Sequence, residues 1–177
     1  MSRARDLTLV AISKVLQVKT VRLTSEAIIT APTSSFTAIT DGTTAMSIAF
    51  TPINANSIIR LDWQLQGVTN AADPVAWLAP FKDSNSMYTG ETTGMLSTFN
   101  VGDAWKQTYG TVGDTNLLNT FSGHWTETNT SLTARTYSMR VKTRAGNFFI
   151  NRTEGNTASQ NYSTKGRSVL TITEILP

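Results

Sequence analysis

The strongest pattern along this chain is the alternation of apolar and polar residues in short runs, the signature of strands that bury one face. It is sharpest at 58–66, where Ile59, Leu61, Trp63 and Leu65 point one way and Arg60, Asp62, Gln64 and Gln66 the other. Met46, Ile48 and Phe50 alternate with Ser47, Ala49 and Thr51, between an Asp41-Gly42 turn signal and Pro52. Phe121, Gly123 and Trp125 mark another run, Tyr137, Met139 and Val141 a further one, and Leu170 and Ile172 alternate with Thr171 and Thr173 near the end. Ala145-Gly146-Asn147 predicts a hairpin-like turn into Phe148 to Asn151. Val75 to Phe81 follows Pro74 and contains Pro80, which predicts a sheet edge or a bend.

Between these runs the chain is rich in turn formers. Residues 84–118 read as long loops around one or two short strands, and 153–165 as a Gly/Asn/Ser/Thr-rich loop. In residues 1–33, Leu7, Val10, Ile12, Val15, Leu16 and Val18 fit neither a helical stripe nor strict alternation. That stretch reads as an N-terminal arm or docking segment, either a short helix or exchanged strand against a neighbour, or a first strand on the domain's own sheet. About eight strands with no convincing internal helix predict an all-β fold: a two-sheet antiparallel jelly-roll sandwich over residues 34–177. A chain of 177 residues is long enough to bury a core of that kind without staples.

Composition sharpens this picture. Thirty threonines, with Ser, Asn and Gly in plenty, disfavour helix and favour strands joined by turns. The net charge is only +3, and Lys14, Lys19, Arg60, Lys82, Lys106, Arg140, Arg152 and Lys165 are scattered, so nucleic acid is not an expected partner. Lys14 interrupts the apolar run after Arg3 and Arg5 within a few residues, and cysteine is absent. The expectation is a protein made in a cytoplasm, without membrane insertion or disulfides.

Four stretches, in their order, carry a resemblance. They are Ser57-Ile58-Ile59-Arg60-Leu61-Asp62-Trp63-Gln64, Phe121 to Thr126, Thr136-Tyr137-Ser138-Met139-Arg140-Val141 before a small turn, and the closing Ser168-Val169-Leu170-Thr171-Ile172-Thr173-Glu174-Ile175. This arrangement resembles a domain at the C-termini of virion proteins of marine and cyanobacterial tailed phages, tail fibres included, akin to the trimeric tumour-necrosis-factor and C1q-like jelly rolls. The opening Met1-Ser2-Arg3-Ala4-Arg5-Asp6-Leu7 looks like the start of many phage fibre proteins. The match covers residues 34–176 and the opening, and departs from the fibre pattern in lacking a long repetitive shaft.

The resemblance implies a homotrimeric virion structural protein of tail-fibre or receptor-binding type, assembled in the host cytoplasm. Its alternatives are a capsid decoration (cement) protein and a C1q-like binding module. It further implies that apolar residues left on outward faces, Ile58, Phe149, Val169 and Ile175, meet at a trimer seam, and that residues 1–33 dock on other virion proteins. The loop aromatics Tyr88, Trp105 and Tyr109 are the candidates for contact with a host-surface glycan, since flat ring faces stack on sugars.

Chemistry is sparse by comparison. The single histidine, His124, lies in an expected strand and there is no cysteine, so a zinc site or Cys–His nucleophile cannot form within one chain; three copies at a trimer axis are the one arrangement that could gather ligands. Asp83, Glu91, Asp103, Asp114 and Glu127 show no spacing that marks a glycosidase pair. Asp41-Gly42 and Gly113-Asp114 are explained as turns without calcium. Three Asn-X-Ser/Thr sequences, at Asn129, Asn151 and Asn161, are expected by chance in such a composition. The chain is therefore expected to be no enzyme, with no catalytic, cofactor-binding or metal residues.

Overall fold

Each alternating run becomes a strand whose apolar side chains meet those of an opposing sheet. The computed structural model describes residues 14–30, 32–69, 75–87, 105–108, 118–152 and 166–177. In chain order its strands are β1 (Lys14–Leu23), β2 (Ala27–Ile29), β3 (Thr37–Ala38), β4 (Ser47–Phe50), β5 (Ile58–Thr69), β6 (Val75–Lys82), β7 (Asn85–Ser86), β8 (Trp105–Thr108), β9 (Asn119–Thr128), β10 (Arg135–Thr143), β11 (Phe148–Ile150) and β12 (Ser168–Leu176). All pairings between them are antiparallel. Two sheets result, one built from β1, β12, β5, β11, β2 and β9, the other from β3, β10, β6, β7, β4 and β8.

The twelve segments occupy eight lanes. β3 and β4 lie on the same side of β10, opposite Arg140–Val141 and Arg135–Ser138, as one strand interrupted by an excursion from Ile39 to Met46. Likewise β12 and β11 share one flank of β5, and β1 and β2 lie outside them. Eight lanes in two antiparallel sheets, with the chain changing sheet at most connections, is the expected jelly-roll sandwich. Residues 14–30 are β1 and β2 of the first sheet, so this part of the segment read as an arm is the domain's own strand. Residues 1–13 lie outside the described residues.

Between the sheets lies a core that includes Phe50, Ile59, Leu61, Trp63, Phe121, Tyr137, Met139, Phe148, Leu170 and Ile172. These are the inward positions that the alternation marked. At one point the backbones press together: a Cβ on Gly67 would stand 2.6 Å from both Phe148 Cζ and the Phe149 carbonyl oxygen, which accounts for glycine there.

Two expectations change. Ala145-Gly146-Asn147 does not close a hairpin, because β10 and β11 belong to different sheets; the turn, with Gly146 at φ 68°, carries the chain across the sandwich. β6 is not an edge either, having β10 on one flank and β7 and β8 on the other. Pro80 is tolerated inside it because its carbonyl accepts from Met87 N (3.1 Å), so its nitrogen points to that same flank, between the residues paired with β8 and those paired with β7. No ladder donor is needed in that gap.

Buried polar groups tie the lane breaks. Asn151, fully buried at φ 56°, donates from Nδ2 to the carbonyls of Leu23 and Ser25 (3.0 Å each) and accepts from Ser168 Oγ (2.7 Å), bridging the break in the β1–β2 lane to that in the β11–β12 lane. Glu174 is also buried; it accepts from Gln17 Nε2, Ile53 N, Asn54 N and Ser57 Oγ at 2.6–3.0 Å. Burial alone would raise its pKa, but those hydrogen bonds outweigh it and hold the carboxyl below its ordinary value.

Candidate functional site

Because side chains alternate across a strand, the residues between the core positions of the first sheet form a second surface, facing away from the sandwich. The pairing places them in four rows across β1, β12, β5 and β9. The first row is Val15, Ile175, Ile58 and Thr128; the second is Val18, Thr173, Arg60 and Thr126. Next come Thr20, Thr171, Asp62 and His124, then Arg22, Val169, Gln64 and Ser122. A bulge between Val15 and Gln17 keeps Val15 and Val18 on the same face despite their odd spacing.

The face is polar in the middle and apolar at one end. Thr20 and Thr171 hydroxyls hydrogen-bond at 3.1 Å. Arg60 clamps Asp62 on its own strand, with Nε 2.9 Å from Oδ2 and Nη2 2.8 Å from Oδ1, and this pairing raises the arginine's pKa. At 46% and 40% side-chain exposure the pair contributes little to stability, at most about 1 kcal/mol. A shallow depression is lined by Asp62, Gln64, Ser122, His124, Val169 and Thr171. In the apolar row Val15 is 54% exposed, with Val18 beside it at 55%.

Of the four residues expected at a seam, this face gathers three, Ile58, Val169 and Ile175, each partly buried in the single chain. Phe149 stands apart. It is 4% exposed within one chain, paired with Val68 and Ile28, and the Arg152 guanidinium lies 5.7 Å from its ring centre. His124 is exposed on the face, one strand over from Asp62. Among the described residues no three His, Cys, Asp or Glu side chains are grouped to hold a metal ion.

The loop candidates are not gathered into a site by the described residues. Tyr88 and Tyr109 lie outside them, and Trp105 opens β8 opposite Leu78 of β6. Two of the carboxylates considered for sugar cleavage have structural partners. Glu127 accepts from Tyr137 Oη (2.7 Å) and Lys82 Nζ (2.8 Å), which ties β9 to the opposite sheet. Burial, and then the Glu127 carboxylate, push the Tyr137 phenol well above its ordinary pKa. Asp83 accepts from Thr136 N (2.9 Å) and Arg135 Nη1 (3.1 Å), which lower its pKa against the opposing effect of burial. Glu91, Asp103 and Asp114 lie outside the described residues, as does Asn161. Asn129 and Asn151 of the other two Asn-X-Ser/Thr sequences are buried, with amide nitrogens donating to main-chain carbonyls.

Sequence reasoning missed Val15, Val18, Arg60 and Thr171 as members of one face. The alternation at 58–66 contained part of the signal, but the neighbours on β1 and β12 depend on a register that alternation alone does not set. Comparison with protein-family models and with curated proteins gives no match to the chain. Among the described residues no helix is long and apolar enough to cross a membrane.

Proposed function

We propose that this chain is a structural protein of a tailed-phage particle, a surface-exposed homotrimer of tail-fibre or receptor-binding type. The observation that supports it best is the outer face of β1, β12, β5 and β9, uncovered by any other described residues, where Ile58 and Ile175 stand side by side at one end and Val169 lies at the other. Three copies meeting there would bury these residues and leave the opposite sheet and the loops pointing outward. The mechanism is passive. A stiff trimer offers three copies of one loop surface, and weak contacts with a host-surface glycan gain by avidity. Tyr88, Trp105 and Tyr109 are the residues proposed for that contact.

Light scattering on the purified chain should give three times the 19.3 kDa chain mass. Val169→Asp, which puts a charge on the outer face without touching the core, should reduce it to the mass of one chain. A wild-type monomer, or a Val169→Asp trimer as stable as wild type, overturns the seam. Quantitative mass spectrometry of purified particles then places the protein. A few dozen copies or fewer fit a tail location, hundreds would replace this reading with the cement protein, and absence would reject both.

A further inference from the structure

The outer face of the first sheet changes character from one end to the other. Its first row holds Val15, Ile175 and Ile58, whereas its fourth, about 20 Å further along the strands, pairs Arg22 of β1 directly with Val169 of β12. Arg22 is exposed, and its guanidinium has no ion-pair or hydrogen-bond partner among the described residues. Arg167 stands exposed just before β12, its backbone N–H donating to Gln66 Oε1 (3.1 Å) and its guanidinium equally unpaired. Because Ser168 points inward to Asn151, alternation puts Arg167 on the side of Val169.

The other charges at this end are engaged. Asp62 is clamped by Arg60, and Asp41, tied to the β1–β2 connection, is buried among donors from Thr24, Ser25, Thr43 and Thr44. Glu26 and Arg152 have interactions of their own. Next to Val169, the shallow depression brings the Gln64 amide, the Ser122 hydroxyl and the His124 imidazole to one space.

In the trimer proposed above, Val169 cannot be buried without drawing its cross-strand neighbour Arg22 into the seam, once from each copy. Three unpaired guanidinium groups then converge where water is removed, which is unfavourable unless a counter-charge enters with them. We propose that this end of the seam is a binding site for a small polyvalent oxyanion, of the phosphate or sulfate class, held by Arg22 of all three copies with Arg167 and Gln64 beside it. The planar N–H fork of a guanidinium grips two oxygens of such an ion at once, which chloride does not offer. The inference rests on the trimer reading and deepens it, since one chain supplies only a third of the site.

Light scattering over a range of chain concentrations tests it, in chloride alone and with millimolar inorganic phosphate or sulfate at the same ionic strength, where general salting-out is negligible. Either oxyanion should lower the trimer dissociation constant at least about tenfold, the effect of an ion at roughly ten times its own dissociation constant. Arg22→Gln should abolish that difference and, having lost the converging charge, hold together better than wild type in chloride. Equal dissociation in the three buffers, an oxyanion effect of the same size in Arg22→Gln, or an Arg22→Gln trimer weaker than wild type in every buffer overturns the anion site and leaves the trimer standing. A wild-type chain with the mass of one copy in all three buffers removes the seam and this inference with it.

Discussion

Asp41 offers the sharpest test of how the interrupted lanes are held. Its side chain, 5% exposed, organises the excursion between β3 and β4 and ties it to the β1–β2 connection. Oδ1 accepts from Thr44 N (2.7 Å), Thr43 Oγ1 (2.9 Å) and Thr43 N (3.2 Å), and Oδ2 from Thr24 N and Ser25 N (3.1 Å each). Burial by itself would raise its pKa; the donors outweigh burial and bring it from 3.8 to about 2. Converted at about 1.4 kcal/mol per pH unit, that lowering is worth roughly 2–3 kcal/mol of folding stability at neutral pH.

Asp41→Asn keeps the shape and removes the charge. Its oxygen can still serve Thr43 and Thr44, but its NH₂ then confronts the N–H groups of Thr24 and Ser25. With those donors left unpaired, the total cost at pH 7 is about 2–4 kcal/mol. For a chain of this length that lowers Tm by roughly 5–15 °C. A carboxyl whose pKa is lower folded than unfolded stabilises the fold above its unfolded value, and that contribution fades as pH falls through the folded one. The gap between wild type and variant should therefore narrow by about 1 kcal/mol at pH 3 and by about 2 kcal/mol at pH 2. Urea unfolding at pH 7, 5, 3 and 2 measures it, and the other lowered carboxylates cancel in the difference. A gap below about 0.5 kcal/mol at pH 7, or one that stays constant down to pH 2, refutes the reasoning.

Two further perturbations test the packing. Asn151→Ala strands the carbonyls of Leu23 and Ser25 and the Ser168 hydroxyl in a buried site, and should cost about 3 kcal/mol in urea unfolding; a loss under about 1 kcal/mol would mean that water replaces the amide. Gly67→Ala drives a methyl into the Phe149 carbonyl, which a rotamer change cannot relieve, and should lower stability by about 1–3 kcal/mol in the same assay; wild-type stability would show that β5 and β11 can separate locally.

Much of the fold is legible in the sequence because alternation is a local signal. Ile59, Leu61, Trp63 and Leu65 declare their inward face without reference to any partner, as do Tyr137, Met139 and Val141. Partnership is not local. Nothing near Ala145-Gly146-Asn147 says whether the chain folds back on β10 or crosses to the other sheet, since both need the same reversal. Asn151 and Glu174 read as ordinary polar residues, and become ties only when strands far apart in the chain bring donors and carbonyls to them. The candidate face divides in the same way. Ile58, Val169 and Ile175 follow from alternation, and so does an outward Phe149, but only the assembled chain tells a covered apolar residue from an uncovered one.

That distinction bears on what the outer face can bind. Its middle rows carry an ion pair and a hydroxyl pair already satisfied on the same chain, so a partner need supply no charge to match Arg60 or Asp62. Removing water from that pair still costs energy, and the attraction it retains does not depend on assembly. The gain on association must then come from the apolar positions, Val15, Ile175 and Ile58 at one end and Val169 at the other, with Val18 between β1 and solvent. A seam of this composition closes most tightly at the end where β1 begins, since the Arg60–Asp62 charges are matched within each copy whereas the exposed Arg22 of the fourth row brings a like charge from every copy to the other end.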